Sequence, residues 1–276
     1  MNSDIIINSG NSDNWKERAG RIGHVAKGIV YGIAGILTLL AALNMGGQKA
    51  GKVQVLEFLQ KQPFGNVLLI LVAIGLACYA FWRFVQSVQD PQEKGNDTEG
   101  KVKRTGYFIS GILYLGLAAY AIIQATSGGG SSSGGQSQQG IVASLLQSNA
   151  GVLLVILIAA GLFAKSLYQF YRVYKGDFTR NIRSHRIPHS KAEKIVKHAG
   201  YAGFISRGIL IGIIGYFFLQ AALQHDPGEV QGSSGAFSFI QQSSYGPWLM
   251  ALVAFGLVCY GVFMFIVAKY KHFYAR

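Results

Sequence analysis

Six long apolar runs dominate the chain. They cover about residues 25–44, 66–88, 107–126, 150–174, 202–223 and 247–269. Each holds about twenty residues, the number a helix needs to cross a hydrocarbon core of about 30 Å. Lipid offers the backbone no hydrogen bonds, so each run must satisfy its own amides as a helix. Strands of a transmembrane barrel would be half as long and would alternate in polarity, which excludes that architecture. Between the runs lie shorter apolar patches: Val55-Leu56-Glu57-Phe58-Leu59, Ile141-Val142-Ala143-Ser144-Leu145-Leu146 and Phe237-Ser238-Phe239-Ile240. Each follows an odd-numbered run and predicts a short surface helix. Residues 1–20 are polar and predict a loose segment with a short interfacial helix around Trp15.

Glycines divide the six runs into three copies of one unit. The odd runs open with paired glycines five residues apart: Gly23 and Gly28, Gly106 and Gly111, Gly203 and Gly208. The even runs pair theirs at ten: Gly65 and Gly75, Gly151 and Gly161, Gly246 and Gly256. The match extends from Gly75-Leu76-Ala77-Cys78-Tyr79 to Gly256-Leu257-Val258-Cys259-Tyr260. A unit of two helices returns to its starting side, so all three copies insert in one orientation. The expected fold is an all-α membrane protein with six transmembrane helices, arranged as three parallel two-helix repeats in a pseudo-three-fold bundle. The segments are a polar amino-terminal stretch (1–20), repeat one (21–90), repeat two (100–176), a basic loop (177–200) and repeat three (201–272). Small residues four apart let membrane helices approach closely. Gly32 and Gly212, four residues after Gly28 and Gly208, join the packing set; repeat two has Leu115 there.

Composition then separates membrane from nucleic acid. The chain of 276 residues is 50% hydrophobic and only 13% charged, with a formal net charge of +13. The basic residues lie in the connections rather than in a recognition fold, which argues against nucleic acid. Segments 86–104 and 175–200 are rich in Lys and Arg, whereas 127–149 and 224–246 have neither. The positive-inside rule then puts both termini in the cytoplasm of a bacterial inner membrane. Lys49, Lys52 and Lys61 dissent, in a connection assigned to the outside. The basic loops suit anionic lipid headgroups. A homo-oligomer or a protein partner stays open. Cys78 and Cys259 lie in separate apolar runs and imply no disulfide framework.

Within the runs, charge is what could carry chemistry. Lys27 and Arg207 each precede an aligned glycine, and repeat two has Ser110 there. Two readings stay open: side chains snorkelling from near the cytoplasmic end, or an incomplete cationic ring on a central pathway. Arg83 near a helix end reads as interfacial. Lys165 lies deeper, where the other repeats have Tyr79 and Tyr260. A lysine that deep faces a bundle interior or cavity. The spans hold no carboxylate, so no carboxylate relay is expected. No nucleophile–base pair converges and no cofactor is implied, so an enzyme is not expected. Gly46 to Val53 approaches a phosphate-loop spacing but lacks its final Ser or Thr and follows no strand. Gly130-Ser131-Ser132-Ser133-Gly134 fits a nucleophile-elbow pattern only within low-complexity sequence. His185 and His189 are separated by Pro188 and surrounded by cations, a poor metal site.

Several of these motifs carry a family resemblance. Arg104-Thr105-Gly106-Tyr107, Ser206-Arg207-Gly208, Asp226-Pro227, Tyr245-Gly246-Pro247 and Ala268-Lys269-Tyr270-Lys271 resemble the bacterial membrane family called domain of unknown function 1206. That family is built from three tandem two-helix repeats, and the resemblance covers about residues 15–272. The Ser/Gly run in the second outer loop departs from it. The resemblance implies the architecture and assigns no activity or functional residue. The functions that fit are a solute, anion or lipid pathway at the repeat axis, or a non-transporting scaffold that binds a partner.

The orientation is testable in spheroplasts. A cysteine placed at Ser132 is expected to react with a membrane-impermeant thiol reagent added outside intact cells. Protection of that cysteine would reverse the assigned topology.

Overall fold

A computed structural model describes residues 4–91, 93, 95, 97–127, 134–176 and 190–270. The described residues form helices α1 (Asp4–Ala42), α2 (Lys52–Gln60), α3 (Gly65–Val88), α4 (Thr98–Thr126), α5 (Gly134–Leu146), α6 (Asn149–Lys175), α7 (Ser190–Gln224), α8 (Ser233–Gln241) and α9 (Gly246–Tyr270). A 3-10 turn, Pro227–Glu229, precedes α8. Six of these helices are long and apolar enough to cross a membrane: α1, α3, α4, α6, α7 and α9. The Ser/Gly run at 128–133 and the histidines at 185 and 189 lie outside the described residues.

Each repeat is a long helix, a short helix, a tight turn and a second long helix. The short helices α2, α5 and α8 stand where the short apolar patches predict them. Gly65, Gly151 and Gly246 then open α3, α6 and α9. A Cβ at any of them would collide with a carbonyl near the end of the short helix, Gln60 O, Leu145 O or Gln241 O respectively. Caps set other boundaries. Asp97 accepts from the Gly100 amide at the start of α4, and Ser148 from that of Gly151 at the start of α6, both at 3.1 Å. Gly176 ends α6 in the left-handed region at φ 65°.

The polar amino-terminal stretch differs from its expectation. It is helical from Asp4 and continuous with the first span. Lys27 lies on this same continuous helix, beyond the charged residues Lys16, Glu17, Arg18 and Arg21 and near the start of the apolar run.

The helices pack in the order α4, α3, α1, α9, α7, α6. Neighbouring repeats meet through one recurring contact. Gly28, Gly111 and Gly208 each face a phenylalanine of the preceding repeat in the ring: Phe265, Phe84 and Phe170. Within repeats one and three, Gly23 lies on the backbone of Tyr79 and Gly203 on that of Tyr260. Gly75 and Gly256 return the contact against Ala26 and Ser206. Gly212 faces Ser166 across the junction of repeats two and three. Arginine completes two junctions. Arg21 donates to Ala268 O and Lys269 O at 2.7 and 2.8 Å. Arg104 donates to Ser87 O and Val88 O at 2.7 and 3.0 Å. A cation on a helix's last carbonyls also opposes the negative end of its dipole.

Three of the expected packing glycines depart from that role. A Cβ at Gly32, Gly106 or Gly161 would meet nothing within 4 Å. At Gly32 the close approach is made by Gly261, whose own Cβ would lie 2.9 Å from the Gly32 backbone. Gly106 and Gly161 are exposed, because α4 and α6 do not pack against each other.

This difference sets a paired test. Gly203→Ala must push its methyl to 2.7 Å from Tyr260 Cα, so it should destabilise by about 1–3 kcal/mol through overpacking. Gly106→Ala should be neutral or stabilise by about 0.5–1 kcal/mol, the ordinary helix gain over glycine. Unfolding in mixed micelles measures both; equal effects would reject the seam assignment.

Candidate functional site

At the centre of the bundle the helices bring together side chains far apart in sequence. Lys27, on α1, is only 4% exposed. Its Nζ donates to Tyr79 Oη at 2.9 Å. The same ammonium lies 4.7 Å from the Tyr79 ring centre, 5.4 Å from that of Tyr260, 5.6 Å from Tyr114 and 5.9 Å from Tyr31. Arg207, at the equivalent position on α7, donates to Tyr260 Oη at 2.5 Å. Its guanidinium lies 4.4 Å from the Tyr260 ring centre and 5.1 Å from that of Tyr31. Repeats one and three thus make the same pair, a cation on the odd helix and a tyrosine hydroxyl on the even one.

Repeat two reverses the pair. Ser110 on α4 is half-buried and Lys165 on α6 carries the cation. Lys165 interacts electrostatically with Arg207, Lys52, Tyr31 and Arg83 and also with Lys27. Its side chain is exposed rather than enclosed.

Two further cations extend the layer along the axis. Arg83, one turn beyond Tyr79 on α3, donates to Tyr79 Oη at 2.8 Å from Nε and 2.5 Å from Nη2, and to Gln86 Oε1 at 2.9 Å. It is half-buried. Lys52, in the first turn of α2, reaches in from the loop end. Its Nζ lies 4.8 Å from the Tyr114 ring centre and 5.7 Å from that of Tyr31. Tyr114 is buried in the same layer.

The burial of Lys27 argues against snorkelling at that position. Its side chain turns into the bundle and does not snorkel, and Arg207 follows it. The pathway candidates Lys27, Arg207, Tyr79 and Tyr260 therefore meet in one cluster. Lys165 lies within its electrostatic reach, and Ser110 marks the position where the cation is missing. Reasoning from the sequence missed Tyr31, Tyr114, Lys52 and Arg83. One signal was available: Tyr31 and Tyr114 both stand three residues after an aligned glycine, where repeat three has Ile211.

The energetics are unusual. Two unit charges about 8 Å apart repel by about 2 kcal/mol at an effective dielectric constant of 20. Each desolvated cation–π contact returns about 0.5–2 kcal/mol. Among the described residues no carboxylate forms an ion pair with any of the five cations; the ion pairs there include Arg21–Glu17 and Lys103–Glu99. Tyrosine rings and hydroxyls thus hold the cluster without neutralising it. No group of His, Cys, Asp and Glu suited to a metal occurs among the described residues. A separate groove of about 320 Å³ lies between α1 and α9, lined by Arg21, Ile22, Val25, Phe265, Ala268 and Lys269. It lacks the cluster's cations and tyrosines.

The three repeats coincide with three matches to one family model, Domain of Unknown Function (DUF1206), over residues 22–90, 105–176 and 202–271. The chain belongs to this family. It is also 30% identical over 262 residues to the uncharacterized protein YxxB of Bacillus subtilis (strain 168), covering 94% of this chain and 92% of the relative. No solved structure matches the chain. DUF1206 membership accounts for the three tandem two-helix units and leaves the chemistry of the cluster to the residues themselves.

Tyr79 is the joint of the cluster, since its hydroxyl accepts from both Lys27 and Arg83. Tyr79→Phe should cost about 1.5–3 kcal/mol, the range for hydrogen bonds to charged groups. Tyr31→Phe, whose ring stays under Lys27, Lys52 and Arg207, should cost less. Thermal unfolding in one detergent ranks the two; the reverse order would remove Tyr79 from this role.

Proposed function

We propose that this protein binds an anion at the pseudo-three-fold axis, with the cation–tyrosine cluster as the binding station of a pathway through the membrane. The observation that carries the reading is a cluster of five basic side chains, Lys27, Lys52, Arg83, Lys165 and Arg207, for which no carboxylate partner occurs among the described residues. A purely structural cluster is better served by apolar residues, because buried charge costs more than it returns unless fully paired. An anion reverses the sign of the repulsions. The cluster also has direction: Arg83 approaches from the end that carries the termini, and Lys52 from the opposite end. Among the described residues no convergent nucleophile and base accompany it, and the reading is therefore binding or passage.

The proposed setting is a bacterial cytoplasmic membrane with both termini in the cytoplasm, as the Lys and Arg distribution directs. Anionic headgroups would then gather at the basic connections. A second reading is a scaffold that binds a membrane partner. It is favoured by the exposed apolar residues of α4 and α6, such as Leu113 and Ile158.

Radiolabelled inorganic phosphate and sulfate are the probes, with choline as the cationic control. Binding of either anion to the purified protein, with release of the trapped anion from proteoliposomes, is the expected result. Arg207→Gln and Lys165→Ala should each weaken it by about tenfold, as loss of 1.4 kcal/mol would. No anion binding by protein that keeps its helix content, together with a stoichiometric co-purifying membrane protein, would favour the scaffold.

A further inference from the structure

The two helices of repeat two do not close on each other as the other pairs do. In repeat one α1 packs on α3, and in repeat three α7 packs on α9, whereas no packed seam joins α4 to α6. The equivalent seam positions record this. Val30 is 1% exposed and Leu210 5%, but Leu113 is 62% exposed. Val72 and Val253 are 7% and 4% exposed, but Ile158 is 39% exposed. Thr105, Gly106, Ile109, Gly161 and Lys165 are all exposed.

Two substitutions within the repeat explain the opening. Where Gly75 and Gly256 pack against Ala26 and Ser206, Gly161 would face Ile109, whose branched side chain does not fit so close an approach. Where Gly23 and Gly203 rest on Tyr79 and Tyr260, Gly106 would rest on Lys165. Burying that ammonium in the seam without a partner is costly. The seam therefore stays open, and Lys165 lies in its wall within electrostatic reach of Lys27, Arg207, Lys52 and Arg83. Tyr114, on the other wall helix, is buried in the same layer.

We propose that this lateral opening admits the headgroup of an anionic membrane lipid to the cation–tyrosine cluster, while its acyl chains remain in the bilayer between α4 and α6. The proposal rests on the anion-binding reading and names the class of anion and its route. The opening runs along two membrane-spanning helices, so what reaches it sideways comes from the bilayer. Its depth holds basic side chains and, among the described residues, no balancing carboxylate, which selects a negative headgroup over a neutral one. The exposed seam positions of its walls include Ile109, Leu113 and Ile158, suited to acyl chains. An apolar helix from a partner would instead bury Lys165 without a counter-charge.

The full chain, purified in mild detergent, is mixed with equimolar dioleoyl-phosphatidylglycerol and dioleoyl-phosphatidylcholine, and retained lipid is measured by native mass spectrometry. Phosphate binding is measured on the same preparation. The expected result is retention of phosphatidylglycerol over phosphatidylcholine by about tenfold. Lys165→Ala should abolish that preference. Ile109→Ala combined with Lys165→Tyr restores the pattern of the other repeats, so it should close the seam, raise the melting temperature and expel the lipid. If either variant fails to fold, a phosphatidylglycerol with a photoreactive acyl chain should label peptides of α4 and α6 in the wild type. Phosphate binding with equal retention of both lipids, or labelling spread evenly over the six helices, overturns lateral lipid access and leaves the anion-binding reading intact. Retention of phosphatidylglycerol by the folded double variant also overturns it. Binding of neither phosphate nor phosphatidylglycerol overturns both readings.

Discussion

A lysine side chain buried in the bundle against four tyrosine rings is the constraint on which this structure turns. Lys27 is turned away from the surface, at 4% exposure. Its stabilisation comes from one hydroxyl and the faces of four rings. Those rings come from α1, α3, α4 and α9, so holding one charge requires elements of all three repeats. The axis is therefore fixed by electrostatics as well as by packing. Arg207 repeats the arrangement through Tyr260 and draws α7 into the same layer.

Glycine makes that convergence sterically feasible. Gly23 and Gly203 let an odd helix rest on the backbone beneath Tyr79 and Tyr260. Each tyrosine is thereby directed into the centre, where its hydroxyl meets a cation of the opposing helix. In lipid there is no hydrophobic force between helices, so close packing and polar contacts carry association. The same residues do both here. A larger side chain at Gly23 would lift α1 from α3 and at once part Lys27 from Tyr79.

The span pattern and the glycine spacing made the architecture legible. Six apolar runs and three pairs of five- and ten-residue glycine intervals determine the spans, the repeat and the common orientation. The short helices α2, α5 and α8 were legible for the same reason, being apolar patches at one place in each unit. The direction of the side chain was not. Lys27 sits near the beginning of its apolar run, where a lysine can reach the membrane surface, but its side chain turns into the bundle and onto Tyr79. Lys52 was read as a dissenter from the charge rule, because a linear sequence cannot show a loop lysine turned back over Tyr31 and Tyr114. Its neighbour Lys49 is likewise engaged within the protein, on Ser238. The exceptions to the topology rule thus include two residues with inward partners.

The middle repeat shows what a broken symmetry can retain. Exchanging odd-helix cation and even-helix tyrosine for Ser110 and Lys165 preserves the number of charges at the axis while moving one to the other helix. A random loss of the cation would leave Ser110 with a tyrosine opposite, and the seam could still close on Gly106. A simple swap of the two side chains would put a tyrosine, not a serine, on α4. What occurs instead is removal of bulk from α4 at Ser110, a charge at the tyrosine position and an isoleucine at the small-residue position. All three changes act on the same seam. Ile109 prevents closure, Lys165 keeps positive charge at the opening and Ser110 leaves space between it and the axis. Packing alone would favour a third closed pair. The departure from it is thus concentrated where the bundle's charge is least enclosed.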